Sequence, residues 1–257
     1  MPSNPGDERR RTILEWIRSD GRGDVSDLAA RLQVAAETVR RDLQVLEDHG
    51  LLRRIHGGAL PTEGARFESS LDHRSSDRVP EKRRIAEAAM HHLDGAETVF
   101  LDEGSTQQLI AEEFIKLDRP LTVITSSLGA AAVLATAEPM SVLLLGGRVR
   151  HRTLGTVDHW ATDMLSDLVI DLAILGANGI SVKHGLTTPD PAVCAVKSKA
   201  VEVSRRRLFT GVSTKFGINS FCRFADVAKF ETLITDTGLS SHEAARYRAL
   251  GPNIIRA

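Results

Sequence analysis

AAETVRRDLQVLEDHGLLRRIHGGAL, residues 35–60, decides how the rest of this 257-residue chain is read. Val39, Leu43 and Leu46 recur at i, i+4 and i+7, the spacing of one buried helical stripe, and predict a helix over 36–49. At about 100° per residue, Glu37, Arg41, Gln44 and Asp48 then point directly away from that stripe, with Thr38 and Arg40 on its flanks. The N-terminal half of the open face therefore carries Thr38, Arg40 and Arg41, while the acids Glu47 and Asp48 are held at the far end. Gly50 supplies a stop. Leu51-Leu52-Arg53-Arg54-Ile55-His56-Gly57-Gly58 contains no acid and reads as a small two-stranded wing.

Upstream, Asn4-Pro5-Gly6-Asp7 is a start signal, and Ile13, Leu14 and Ile17 follow at helical spacing. Asp20-Gly21-Arg22-Gly23 breaks that helix. A second is expected to open at Ser26, whose hydroxyl caps it, with Leu28, Ala29 and Leu32 inside and Val25 as a staple. Gln33-Val34-Ala35 is then a tight connection to the third helix. Two short helices joined by about three residues, followed by a wing, fit a winged helix-turn-helix. In that motif the N-terminal half of the last helix enters the major groove of double-stranded DNA. An arginine there can grip guanine O6 and N7 with two bonds, about 1–3 kcal/mol of discrimination per base pair. Candidate DNA contacts are Ser26, Glu37, Thr38, Arg40, Arg41, Gln44, Arg53, Arg54 and His56. A lone Arg-Arg pair is an ordinary solvated surface. The pair gains weight from the short inter-helix turn and the acid-free basic hairpin.

Total charge adds nothing to that case. The chain has a net charge of −1, and residues 1–66 hold eleven Lys/Arg and eleven Asp/Glu. A DNA interface must rest on where charges sit. The two cysteines, Cys194 and Cys222, lack CxxC or Cys/His spacing, which argues against a disulfide framework and against a metal site. No apolar run approaches the ~20 residues that span a bilayer. A cytoplasmic protein with no membrane association is expected.

Pro61-Thr62-Glu63-Gly64 and Ser69 to Pro80 show little periodicity and read as a linker over 61–80, with Phe67 and Leu71 as docking points. Domains are thus expected at 1–60 and 81–257. In the second, apolar runs at Thr98–Asp102, Leu121–Thr125, Ser141–Leu145, Asp171–Leu175, Arg207–Val212 and Thr232–Thr235 alternate with helical patterns at 105–116, 128–137, 157–168, 190–204 and 240–249. Near-continuous Val/Leu/Ile strands between helices imply an α/β fold with a mostly parallel sheet covered on both faces.

Ligands of such sheets bind beyond the carboxyl ends of the strands. The first strand ends in Leu101-Asp102-Glu103-Gly104-Ser105-Thr106 and runs into a helix, an anion or phosphate seat. Later strands end in Thr125-Ser126-Ser127, Gly146-Gly147-Arg148, Gly176-Ala177-Asn178-Gly179 and Ser213-Thr214-Lys215. Small and hydroxylated residues with few aromatics suit a polyhydroxylated ligand bearing a phosphate. Lys197, in the fourth of those helices, is evenly balanced between a phosphate partner and a surface lysine; Lys215, directly after a strand, is the better anion partner. Neither GxGxxG nor GxxxxGK[ST] occurs, so no cofactor is expected. An alternative is a sugar-phosphate isomerase using Asp102, Glu103 and Lys197. Enediol chemistry needs a carboxylate base and a cation, but no second carboxylate stands at another strand end.

VAAETVRRDLQVLEDHGLLRRIHGGA resembles, without a gap, the signature of the DeoR family of bacterial transcription regulators. Members have Ser or Thr before the third helix where this chain has Ala35, a lost cap costing about 1 kcal/mol. LDEGST, the Gly-Gly turn, GANGIS, GLTTPDP with a downstream Lys, STKFG and TLITD resemble the family's sensor domain in the same order. The resemblance implies a sheet related to ribose-phosphate isomerases and CoA transferases that senses a phosphorylated sugar or similar effector. It also implies a regulator, on balance a repressor, of a carbohydrate operon. Carried onto this chain, the effector residues are Asp102, Gly104, Ser105, Thr106, Gly146, Gly147, Gly176, Asn178, Lys197 and Lys215. Two departures occur: Ser126-Ser127 stands where members have Asn-Ser, leaving Ser126 as the candidate there, and Val212-Ser213-Thr214 lacks a leading Asp. One winged helix makes few base contacts, so a homo-oligomer, dimer or tetramer, on paired half-sites is expected.

Overall fold

The computed structural model describes residues 5–20, 22–48, 52–61 and 71–257. The chain divides into two compact units, Met1–Ser70 and Leu71–Ala257. Gly50, Leu51 and Phe67, to which the sequence assigned a stop, part of the wing and a docking point, lie outside the described residues.

In the first unit, α1 (Pro5–Asp20), α2 (Val25–Leu32) and α3 (Ala36–Asp48) enclose Ile13, Leu14, Ile17, Leu28, Val39, Leu43 and Leu46. Strands β1 (Gly23–Asp24), β2 (Leu52–Ile55) and β3 (Gly58–Pro61) form an antiparallel sheet in the order β1-β3-β2, adding Leu52 and Ala59 to the core. Helix α2 begins one residue earlier than expected. Its N-cap is Asp24, whose side chain makes no cap bond and instead pairs with Arg22 at 2.7 Å. Ser26 therefore lies inside the first turn, exposed, and is not the cap. The tight α2–α3 connection is closed by Gln33 in the left-handed region (φ 54°), and Val34 N–H donates to the Ala29 carbonyl at 3.1 Å.

The second unit is built on a seven-stranded parallel sheet in the order β15-β14-β12-β9-β4-β5-β6. These strands are β4 (Thr98–Leu101), β5 (Leu121–Thr125), β6 (Met140–Leu144), β9 (Ile170–Leu175), β12 (Ser204–Thr210), β14 (Thr232–Thr235) and β15 (Asn253–Arg256). Alternate residues feed two cores because both faces are covered. Val99, Leu101, Leu172, Ile174, Leu208 and Ile234 pack under α5 (Val79–Met90), α6 (Ser105–Phe114) and α7 (Leu128–Leu134). Phe100, Ala173, Leu175, Phe209 and Leu233 pack under α8 (His159–Ser166), α9 (Pro191–Val203) and α10 (Ser241–Arg248).

Four features were not anticipated, the first being β15 (Asn253–Arg256), which pairs with β14. A hairpin, β7 (Arg148–Arg150) with β8 (Gly155–Val157), follows the sheet's edge strand. A small antiparallel sheet joins β10 (Gly179–Ser181), β11 (Gly185–Thr188) and β13 (Cys222–Ala225). The stretch read as linker contains α4 (Leu71–Ser76) and the start of α5. Among the described residues no helix is long and apolar enough to cross a membrane.

Candidate functional site

Strand order locates the switch point of the sheet. From β4 the chain runs outward through β5 and β6, and it later returns to the other side through β9 and β12. The two directions part between β4 and β9, and a crevice opens at such a switch point beyond the carboxyl ends of the strands. Asp102 and Gly176 follow those two strands.

Asp102 is 1% exposed, and its Oδ2 accepts from Gly176 N–H at 2.8 Å and from the Lys197 ammonium. Lys197 is 3% exposed and also reaches the Gly176 carbonyl at 3.3 Å. Three residues predicted separately for the ligand thus form one buried cluster joining β4, β9 and α9. The Lys197 charge is already neutralised by Asp102, which makes this pair a brace for the strand ends.

Beside the brace, α6 starts with Gly104 as its N-cap. Having no side chain, Gly104 makes no cap bond, whereas Ser127, Asp190 and Ser240 cap α7, α9 and α10 with their own oxygens. The first N–H groups of α6, beside the nearly buried Ser105 and Thr106, thus receive no side-chain cap, as is also true of α5 and α8. Gly104 has φ 139°, and a Cβ there would lie 2.6 Å from Gln107 Oε1. Gln107, missed from the sequence, is 3% exposed and donates from Nε2 to Thr210 Oγ1 at 3.0 Å, crossing beneath Gly176.

The other predicted ligand residues are less concentrated. Ser126 is buried, and its carbonyl accepts from Thr156 N–H at 2.8 Å, tying β5 to the β7–β8 hairpin. Asn178 Oδ1 accepts from Thr188 Oγ1 at 3.3 Å. Lys215 lies half-buried in the short 3-10 turn Ser213–Lys215. Beside it, Ser213 N–H donates to Asp236 at 2.6 Å. Gly147 has φ 123°, and a Cβ there would stand 2.1 Å from the Val157 carbonyl, so the hairpin itself requires glycine. Gly146 N–H donates to Met164 Sδ at 3.1 Å. A groove of about 730 Å³ next to Gly147 is lined by Arg148, Asp158, His159 and Trp160.

In the first unit, α3 presents the predicted face. Arg41 and Arg40 are 80% and 57% exposed at the side chain, and both lie near Glu37, at 3.8 and 3.3 Å. Thr38 is half-buried beside them. No side-chain oxygen precedes the helix: Thr38 N–H donates to the Ala35 carbonyl at 2.9 Å. The wing is pinned to α3, because Arg54 N–H donates to Glu47 at 2.7 Å and the Arg54 guanidinium donates to Gln44. Gln44 and Arg54 are thus committed to each other, while Arg53 and His56 stand open. Sequence reading also missed Asp42, 2% exposed, which receives Arg9 at 2.5 Å and Arg10 at 3.3 Å. A charged residue one position before Leu43 on an apolar stripe was the available signal.

Two family models match: the DeoR-like helix-turn-helix domain over residues 9–63 and the DeoR C terminal sensor domain over 77–237. The HTH-type transcriptional regulator GlpR of Haloferax volcanii is 33% identical over 249 residues, 96% of each chain. The glycerol-3-phosphate regulon repressor of Escherichia coli K12 is 28% identical, covering 89% of this chain and 90% of that one. Among solved structures, ribose 5 phosphate isomerase A of Neisseria gonorrhoeae aligns at a TM-score of 0.38 and 16% identity, covering 54% of this chain and 53% of that one.

Proposed function

Because the chain belongs to the DeoR family of transcription regulators, we propose that it represses a carbohydrate operon and that a phosphorylated sugar controls it. The observation that carries the DNA half is the open, basic N-terminal half of α3, with Thr38, Arg40 and Arg41 above a packed apolar stripe. Arg40 and Arg41 address base edges, and Arg53 and His56 on the wing address the backbone. The acids near the far end of α3 are taken up locally. Glu47 accepts from the wing, and Asp48 accepts from Gln44 at 2.8 Å. The work divides between the two compact units: the first, 1–70, reads DNA, and the second, 71–257, which takes in the second half of the expected 61–80 linker, senses.

The effector half rests on the uncapped start of α6 at the switch point. A phosphate there takes the free N–H groups and the Ser105 and Thr106 hydroxyls, while Asn178 and Lys215 face the sugar. Control requires linkage: the effector must favour one arrangement of the protein that differs in DNA affinity. A homo-oligomer, dimer or tetramer, is part of the proposal because one winged unit reads too short a site. Acting on the chromosome places the protein in the cytoplasm.

Fluorescence anisotropy on DNA from the protein's own upstream region tests the reading. Arg40→Ala with Arg41→Ala is expected to abolish discrimination between that DNA and an unrelated duplex. Each lost base contact costs about 1–3 kcal/mol, and unchanged affinity and specificity would sink the proposal.

A further inference from the structure

The α4 helix, the first element of the second unit, carries a half-buried guanidinium whose inner nitrogens have no partner among the described residues. Arg74 Nε and Nη2 are buried and find no hydrogen-bond partner among the described residues. A guanidinium offers five donors and stays charged, and leaving one dry and unpaired is among the most costly arrangements in a folded chain. Such an orphan marks either strain or a missing anion.

Its surroundings favour the anion. Helix α4 packs on α6, the helix whose N-terminus is the uncapped seat. The N–H of Leu71, at the start of α4, donates to the Arg152 carbonyl at 2.8 Å in the β7–β8 turn. That turn comes back over the ligand edge: Gly155 bridges to Ser127, and a Cβ on Gly155 would lie 3.2 Å from Glu103. At its other end α4 is held by Lys82, 5% exposed, whose ammonium donates to the Arg74 and Asp77 carbonyls. No carboxylate pairs with Lys82 among the described ion pairs; burial pushes its pKa down to about 8, with Arg74 and Arg78 adding to the fall and the nearby Asp77 and Glu81 opposing it. The two orphaned Arg74 nitrogens therefore stand beside α6 as donors cut off from water. A phosphate has the charge and the acceptor oxygens to take them.

We propose that Arg74 is a phosphate ligand of the sensor, completing from α4 the seat that Gly104, Ser105 and Thr106 begin on α6. This inference rests on the effector reading above and extends it.

The test uses the full-length protein, with inorganic phosphate as the probe. Binding is measured by calorimetry, and melting temperature with and without the probe, for wild type, Arg74→Gln, Arg74→Lys and Gly104→Val. Arg74→Gln is expected to bind phosphate about tenfold or more weakly, the loss of one charge-assisted contact. Without phosphate it should melt at or above the wild-type temperature, because an uncompensated charge has gone. Arg74→Lys should recover part of the affinity. A purely structural arginine would instead lower the melting temperature equally with and without phosphate, and that result overturns the proposal. Wild-type binding that Arg74→Gln leaves intact while Gly104→Val removes it overturns the role of Arg74 alone. Wild type that does not bind phosphate overturns the seat on α6 and the proposal together.

Discussion

Replacing Lys197 by Met should unfold the sensor unit at a markedly lower temperature, and a second, otherwise harmful substitution should restore part of the loss. Asp102 and Lys197 are 1% and 4% exposed at their side chains. Without the ammonium, the Asp102 carboxylate keeps one donor, Gly176 N–H at 2.8 Å, and has no access to water. Removing one partner of a buried pair costs about 3–5 kcal/mol, because it strands the other charge. At roughly 2–4 °C per kcal/mol for a unit of this size, Lys197→Met should lower Tm by roughly 6–20 °C. Asp102→Leu with Lys197→Met removes both charges and strands only the Gly176 N–H, a cost of about 1–3 kcal/mol. The double variant should therefore be more stable than Lys197→Met. Urea titrations followed by circular dichroism give the three free energies, with Tm from calorimetry as the check. A single variant within about 1 kcal/mol of wild type would refute the reasoning, since that is the behaviour of an exposed pair. So would a double variant less stable than the single one.

Two further outcomes follow from other parts of the chain. Asp42→Ala should destabilise the winged unit by about 1–3 kcal/mol. The loss is smaller than at Lys197 because the freed Arg9 and Arg10, each 25% exposed, can turn to water; denaturation of residues 1–66 expressed alone measures it. For Asp236, burial pushes the pKa up, but donation from Ser213 N–H and Oγ and from Gly238 N–H outweighs it, leaving the pKa below the usual 3.8. Its stabilisation is thus complete above pH 3.8 and is lost as pH falls through the lower folded value. Asp236→Asn should flatten that acid limb in a melting-temperature series from pH 5 to pH 2, and an unchanged slope would count against the reading.

Which parts of this molecule could be read in advance follows from the range of the forces involved. The α3 stripe of Val39, Leu43 and Leu46 faced inward because helical periodicity is local, and the same holds for Thr98–Leu101 and Leu121–Thr125, whose apolar runs have no second reading. β10, β11 and β13 were invisible because Gly-Ile-Ser and Gly-Leu-Thr-Thr are too short and too small to show alternation; they are strands because of what they pair with. α4 was hidden for a related reason. Leu-Asp-His-Arg-Ser-Ser has little helical pattern of its own, and its place comes from Arg152 and Lys82.

The ligand edge shows the limit most clearly. The glycine after β4 announces an unusual helix start, since Gly104 adopts φ 139° and leaves α6 without a side-chain cap. Charge assignments do not transfer that way. Lys197 and Asp102 each look like a ligand group in isolation, yet they are 95 positions apart in sequence and meet only after β9 has inserted beside β4. Their pairing satisfies both, so the countercharge for a phosphate at this edge is to be sought elsewhere. The cations left over after such pairing, not the cations nearest a motif, are the ones with charge to offer a phosphate. That criterion is what singles out Arg74, a residue with no motif around it, for the proposal above.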